Sequence, residues 1–89
     1  MTRLIADMKN LGPKTAQMLR EVEIVTADDL RNAGSVEAYH RLKLVFGRQV
    51  SVIALYAMEA ALKDCHWRAI DGAEKQALRA RAGLPTPSP

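Results

Sequence analysis

The chain has 89 residues, of which 48% are hydrophobic and only 4% aromatic, and its formal net charge is +3. This length allows one domain with a modest core and excludes a large multidomain enzyme. The charge fits an anionic partner but is too small to demonstrate one. The single cysteine, Cys65, excludes an internal disulfide, and the most apolar stretch is too short to cross a bilayer. Because the N-terminus also lacks the apolar core of a signal peptide, we expect a cytoplasmic protein.

The residue types favour helices over strands throughout the chain, since Ala, Leu, Val and Met dominate the apolar residues. We expect an all-α fold, a compact bundle of five to six short helices. The first predicted helix spans residues 2–11, where Leu4, Ile5, Met8 and Leu11 form an apolar stripe.

A second helix is predicted to begin at Gly12 and Pro13 and to reach about residue 22. Glycine is acceptable as an N-cap, and proline is favoured at the first helical position, where its missing N–H would be unpaired anyway. Asn10 can adopt the left-handed backbone that a tight turn before this helix needs. Residues 2–22 are therefore predicted to form a helical hairpin.

Four further helices are predicted from their capping residues. Thr26 and Asp29 form a capping-box pattern for a short helix that ends at Gly34, and Ser35 is expected to cap a fourth helix that ends at Gly47. Ser51 is expected to cap a fifth, almost wholly apolar helix over residues 52–62, which we place at the centre of the fold. A last helix begins at Asp71-Gly72-Ala73-Glu74 and runs to about residue 81. Residues 1–82 then form one domain, and residues 83–89 a disordered, proline-rich tail.

The turn before the second helix is the strongest candidate for a binding site. The unpaired N–H groups of the first helical turn, the positive end of the helix dipole and the ammonium of Lys14 all suit a phosphate. A good helix start with one ordinary lysine is the competing interpretation. The predicted nucleic-acid-binding residues are Lys9, Asn10, Gly12, Pro13, Lys14 and Thr15, and Arg41, Lys43 and Arg48 would extend the site if they lie on the same side.

The segment Leu11-Gly12-Pro13-Lys14-Thr15-Ala16, followed by Leu19, Ile24, Thr26, Asp29 and Leu30, resembles a helix-hairpin-helix element of DNA-repair and transcription proteins. With Tyr39, Leu42 and Lys43, the segment Leu55-Tyr56-Ala57-Met58-Glu59-Ala60-Ala61-Leu62 and Trp67, the chain resembles the C-terminal domain of the TfoX (Sxy) family of bacterial competence regulators. The resemblance covers residues 8–78. Asn10 stands where the commonest helix-hairpin-helix pattern has a glycine.

That resemblance implies a role in regulating DNA uptake and its genes, through DNA or through another regulator. In its usual form the family carries a separate α/β domain ahead of this helical one. No such domain precedes the helices in this sequence, so we expect either a stand-alone C-terminal module or an excised piece.

No set of residues in the sequence forms a catalytic or metal-binding constellation. Cys65 and His66 are adjacent, but zinc needs three or four ligands and no second pair stands at a usual spacing. Glu59 lies on the apolar fifth helix four residues before Lys63, which favours a structural ion pair over a functional role. We therefore expect no enzyme activity, no cofactor and no metal.

Two functions remain open at this point. The preferred one is a transcription-linked module that contacts DNA backbone phosphates weakly and non-specifically through residues 12–15. The alternative is a protein-interaction module in which the hairpin is purely structural and the apolar fifth helix docks another regulatory protein or a second copy of the chain. A membrane partner is not expected.

Overall fold

The computed structural model describes residues 4–8 and 10–84. These residues form five α-helices and three short 3-10 helices and contain no strand, so the predicted all-α fold is confirmed. The α-helices are α1 (Pro13–Glu21), α2 (Ala27–Ala33), α3 (Ser35–Phe46), α4 (Val52–Leu62) and α5 (Gly72–Arg81). The 3-10 helices are Ile5–Asp7, Gly47–Gln49 and Trp67–Ala69.

The first predicted helix is wrong in its described part, because only Ile5–Asp7 is helical and that turn is a 3-10 helix. Leu4 is extended, forms an isolated bridge with Thr26, and thereby ties the N-terminal segment to the loop before α2. Ile5, Met8 and Leu11 are buried at intervals of three residues, a spacing that tight turns satisfy as well as an α-helix does. The helix-hairpin-helix arrangement is therefore not confirmed.

The loop between α1 and α2 ends in a capping box at Thr26, as the sequence predicts. The Thr26 hydroxyl accepts a hydrogen bond of 3.1 Å from the Asp29 N–H. The Asp29 carboxylate accepts bonds of 3.1 Å from the N–H groups of both Thr26 and Val25. These bonds hold the start of α2 in a fixed direction relative to α1.

Because of the hydrogen bonds to the Asp29 carboxylate, we expect the stability of the domain to depend on pH. The backbone N–H groups of Val25 and Thr26 lower the pKa of Asp29 below its ordinary value of 3.8. Because the pKa is lower in the folded state, this stabilisation is present above the unfolded-state pKa and is lost as the pH falls through the folded-state pKa. We expect Asp29→Asn to lose more stability relative to the parent at about pH 6 than at about pH 2.5 in urea unfolding.

Asp28→Asn is the matched control for that experiment. It removes the same charge from the same helical turn, but its carboxylate bonds only to the exposed Arg31 side chain among the described residues. An equal pH dependence for the two variants would contradict the assignment to the Asp29 capping bonds.

Gly34 alone joins α2 to α3, at φ 85° and ψ 158°. The prediction that Ser35 caps α3 is wrong, since Gly34 is the N-cap and Ser35 is already the first helical residue. The buried Ser35 hydroxyl instead donates a hydrogen bond of 2.7 Å to the carboxylate of Glu59 on α4. Glu59 thus links α4 to α3, which confirms the structural interpretation of this carboxylate.

Helix α4 lies at the centre of the domain, as its apolar sequence predicts. Leu55, Met58 and Ala60 are completely buried, and α3 packs along α4 with Tyr39 and Leu42 in the core. Five of the eleven residues of α4 are buried, and the large apolar side chain it leaves exposed among the described residues is Ile53. The apolar surface that the alternative function would use on α4, the predicted fifth helix, is therefore small, and that function stays a prediction.

Helix α5 closes the domain against α4. The Asp71 carboxylate caps its start through the Glu74 N–H, at 2.8 Å, and Lys63 at the end of α4 contacts the Glu74 carboxylate. After α5, Leu84 still packs on the core, and its N–H donates to the Arg79 carbonyl oxygen at 2.8 Å. The folded part therefore reaches residue 84. The rest of the predicted tail, residues 85–89, lies outside the described residues.

Across the described ranges, every helix is too short or too polar to span a membrane.

Candidate nucleic-acid interface

The predicted phosphate-binding corner opens onto a groove between the starts of α1 and α4, with a volume of about 280 Å³. We call this surface the Lys14 groove. Its polar lining residues come from both helix starts, and its apolar floor includes residues of α1, α3 and α4. The polar residues are Asn10, Lys14, Thr15, Gln49 and Ser51, and none of the described residues that line the groove is acidic.

The α1 side of the groove begins as the sequence predicts, with Gly12 as the N-cap and Pro13 as the first helical residue. Gly12 is exposed, and a Cβ atom built on it meets no other atom within 4 Å. Its backbone is ordinary and extended, with φ −101° and ψ −177°. Glycine is thus not required here by the conformation of the chain, and the space in front of the first turn of α1 is open to a ligand.

Lys14 is exposed at the second position of α1, and among the described residues it takes part in no ion pair. The N–H groups of the first turn of a helix have no partner within the helix. Lys14 and Thr15 supply such groups at the positive end of the α1 dipole, because Pro13 has none to give. A side-chain cation and backbone donors therefore lie on one groove wall.

Asn10 adopts the predicted left-handed conformation, with φ 73°. Its side-chain amide donates a hydrogen bond of 2.6 Å to the Cys65 carbonyl oxygen, beyond the end of α4. That bond fixes the turn that aims the start of α1 into the groove. Asn10 therefore lines the groove while its side-chain nitrogen is used in positioning the turn.

The second helix start is a contribution that the sequence did not reveal. Ser51 is the N-cap of α4 at φ −96° and ψ 168°, and its side chain makes no capping hydrogen bond. Ser51 and Gln49 are both exposed and line the groove opposite the α1 residues. The N-cap position of Ser51 is readable from the sequence, although the predicted capping hydrogen bond is absent among the described residues. Its position in the same groove as Lys14 depends on how the helices pack, so residues at the starts of two helices line one groove.

The predicted extension of the site is only partly near this groove. Arg41 pairs with Glu37 at 2.9 Å and lines a different groove, while the Lys43 ammonium lies 3.5 Å from the Gly47 carbonyl oxygen at the end of α3. Arg48 is exposed and directly precedes Gln49 in the chain. Lys9 lies outside the described residues, so its place in the site stays a prediction.

The side chains that line the Lys14 groove are of types that bind anions. They include the Lys14 ammonium group and the hydroxyl groups of Thr15 and Ser51, and no acidic residue of the described part of the chain lines the groove. Within the described part of the chain, no three His, Cys, Asp or Glu side chains converge on a point that could hold a metal ion. The arrangement is suited to holding a phosphate group by its oxygens.

The TfoX C-terminal domain model matches residues 1–82, which is nearly the whole chain. The chain belongs to the TfoX C-terminal domain family. The segment around Lys14 and the start of α4 both fall inside the matched range, so the groove is part of this TfoX C-terminal domain and not an appendage to it.

Two solved structures from Listeria monocytogenes are similar to this TfoX C-terminal domain. One, an uncharacterized protein in a triclinic crystal form, is 28% identical and superposes with a TM-score of 0.81, covering 91% of this chain and 96% of that one. The other, a protein of unknown function in a tetragonal form, is 29% identical with a TM-score of 0.80, covering 88% and 95%. No protein with a curated function matches the chain. These similarities support the fold and carry no activity with them.

Proposed function

We propose that this TfoX C-terminal domain is a non-enzymatic regulatory module that contacts DNA backbone phosphates through the Lys14 groove. The observation that carries the proposal is a groove lined by residues at two helix starts and by Lys14, which forms no ion pair with another described residue. No acidic residue within ranges 4–8 and 10–84 lines this groove. Phosphate contacts of this kind fix the position of a protein on DNA without reading the bases. The contact is therefore expected to be non-specific.

The charge of the groove sets the strength of this contact. Lys14 lines the groove, Arg48 directly precedes the lining residue Gln49, and Lys9 is a further predicted cation, so we expect two or three phosphates to be neutralised. The logarithm of the affinity should then fall with the logarithm of the salt concentration with a slope of about −2 to −3. Binding this weak suits a module that acts together with a second domain, a partner or another copy of itself.

The biological setting of the proposal follows from the family. A TfoX C-terminal domain that touches DNA fits a role in the regulation of competence genes and transcription in the cytoplasm. The DNA backbone is the partner we propose, and neither a membrane nor a cofactor has a place in this account.

The test is a fluorescence-anisotropy titration of duplex DNA with the parent and Lys14→Gln at several salt concentrations. We expect Lys14→Gln to weaken binding and to reduce the magnitude of the salt slope by about 1. Arg20→Gln is the matched control, since Arg20 is exposed in the last turn of the same helix and does not line the groove. Equal binding by the parent and both variants, or no binding by the parent, would refute the proposal.

The variant Gly12→Asp distinguishes a phosphate-binding role of the turn before α1 from a purely structural role. Aspartate is a better N-cap than glycine and fits the extended Gly12 backbone, so α1 and the domain should become slightly more stable, by a few tenths of a kcal/mol. Its carboxylate would also occupy the donors that a phosphate needs, so DNA affinity should fall below that of the parent. A variant that gains stability and keeps its full DNA affinity would contradict a phosphate site at this helix start.

A further inference from the structure

The end of α3 exposes two large apolar side chains next to each other. Leu44 is 89% exposed and Val45 is 57% exposed, although both belong to a helix whose other face is in the core. With Val22 they form the apolar part of an open groove of about 380 Å³ between α3 and the end of α1. We call this surface the Leu44 groove. Apolar side chains this exposed and adjacent are typical of an interaction surface.

The polar lining of the Leu44 groove carries both signs of charge. Glu21 and Glu23 are exposed, and neither forms an ion pair with another described residue. Arg41 lines the same groove, and its pair with Glu37 is an exposed contact within one helix. An exposed pair of this kind contributes little to stability, so Arg41 can exchange Glu37 for another carboxylate.

A lining that carries both signs of charge can be complementary to itself. A two-fold axis brings the same patch of two molecules together, so that residue i of one molecule contacts residue j of the other and the reverse. We expect such a pairing of the Leu44 groove to cover Leu44 and Val45 of both molecules. We also expect it to bring Arg41 of each molecule near Glu21 or Glu23 of the other, since all three line the groove. A partner of one charge would satisfy only part of this lining.

We propose that the Leu44 groove is a self-association surface, and that its occupant is a second copy of this chain in a two-fold dimer. Leu42 lines the Lys14 groove, whereas Leu44 lines the groove described here. Two residues on an α-helix are separated by about 200° around its axis, so the two grooves lie on different sides of α3. Dimerisation through Leu44 thus leaves both Lys14 grooves accessible, and it stands independently of whether those grooves bind DNA.

Sedimentation equilibrium over a wide range of protein concentrations tests the apolar part of the surface. The parent should show a monomer–dimer equilibrium, and Leu44→Glu should raise the dissociation constant by roughly tenfold or more. Ile53→Glu is the matched control, because Ile53 is another exposed apolar residue that does not line the Leu44 groove, and it should associate like the parent. Circular dichroism verifies that each variant is folded.

A charge exchange tests the two-fold arrangement itself. Arg41→Glu alone and the double variant Glu21→Lys with Glu23→Lys should each associate less than the parent, because like charges then face each other. In a heterodimer of these two proteins, position 41 of each molecule again faces opposite charges at positions 21 and 23 of the other. The heterodimer should therefore form with an affinity near that of the parent dimer.

Three results would overturn the self-association proposal. They are a parent that stays monomeric at millimolar concentration, a dimer that Leu44→Glu leaves intact, and a charge-exchanged mixture that fails to associate. Lys14→Gln should dimerise like the parent, so an intact dimer whose DNA binding is unchanged by Lys14→Gln would refute the DNA-binding proposal alone.

Discussion

Leu55→Ala should lower the free energy of unfolding by about 2–5 kcal/mol, because it removes a large side chain from a completely buried position and leaves a cavity. Leu55 belongs to α4, against which α3 and α5 both pack. A small domain has only about 5–15 kcal/mol of total stability, so this variant should lie close to its unfolding transition. Urea unfolding followed by circular dichroism measures the difference.

Leu44→Ala is the control for that measurement, since the same substitution is made at a position that is 89% exposed. It should change the stability by less than about 0.5 kcal/mol. Both proteins are compared at low concentration, so that association does not contribute to the apparent stability. Equal losses for the two leucines would contradict the placement of α4 at the centre of the core.

Gly34→Ala should cost about 1–3 kcal/mol of stability, for a reason that involves no lost contact. Gly34 has φ 85° and ψ 158°, a backbone conformation that is essentially restricted to glycine, and it alone connects α2 to α3. A Cβ atom placed on Gly34 meets nothing within 4 Å, so the cost is conformational and not steric. Thermal unfolding should show a clear decrease in the midpoint.

Gly72→Ala is the contrasting variant, because we expect it to raise the stability of the domain. Gly72 is exposed, begins α5 and has open space around its Cα atom, so alanine should stabilise the helix by up to about 1 kcal/mol. If both glycine substitutions stabilised the domain, the backbone conformation described for Gly34 would be wrong.

The sequence predicts those elements whose signals are local. Each of these signals lies within three residues of the group that it binds or orients. They are the Gly12 and Pro13 start of α1, the capping box at Thr26 and the Asp71 cap of α5. The helix at residues 52–62 was predictable because it is apolar on all sides, which is typical of a central helix.

Features that depend on distant partners were not predictable. Ser35 looked like a helix cap, but its hydroxyl bonds to Glu59, 24 positions away in the chain. Ile5 and Met8 looked like a helical stripe, but Leu4 beside them pairs with Thr26, which an α-helix through Leu4 would not allow. No pattern within either segment distinguishes these alternatives.

The residues of the candidate site likewise include some that a local motif predicts and others that only the folded chain brings together. The corner at Gly12 and Lys14 came from a local motif, and the structure leaves it exposed. The contribution of Gln49 and Ser51 arises only when the folded chain brings the start of α4 to the same groove as the start of α1. Arg41 appeared equivalent to Arg48 in the sequence, yet it lines the Leu44 groove, because residues three apart on an α-helix lie on the same face.

The most direct test of the phosphate-binding groove is a titration of the chain with short duplex DNA at low salt, followed through its backbone amide NMR signals. We predict that the largest shifts fall together on Lys14 and Thr15 and on residues 49–53, the two helix starts that share the groove. Shifts concentrated instead on α5, which carries Lys75, Arg79 and Arg81, or no shifts at all, would contradict the account.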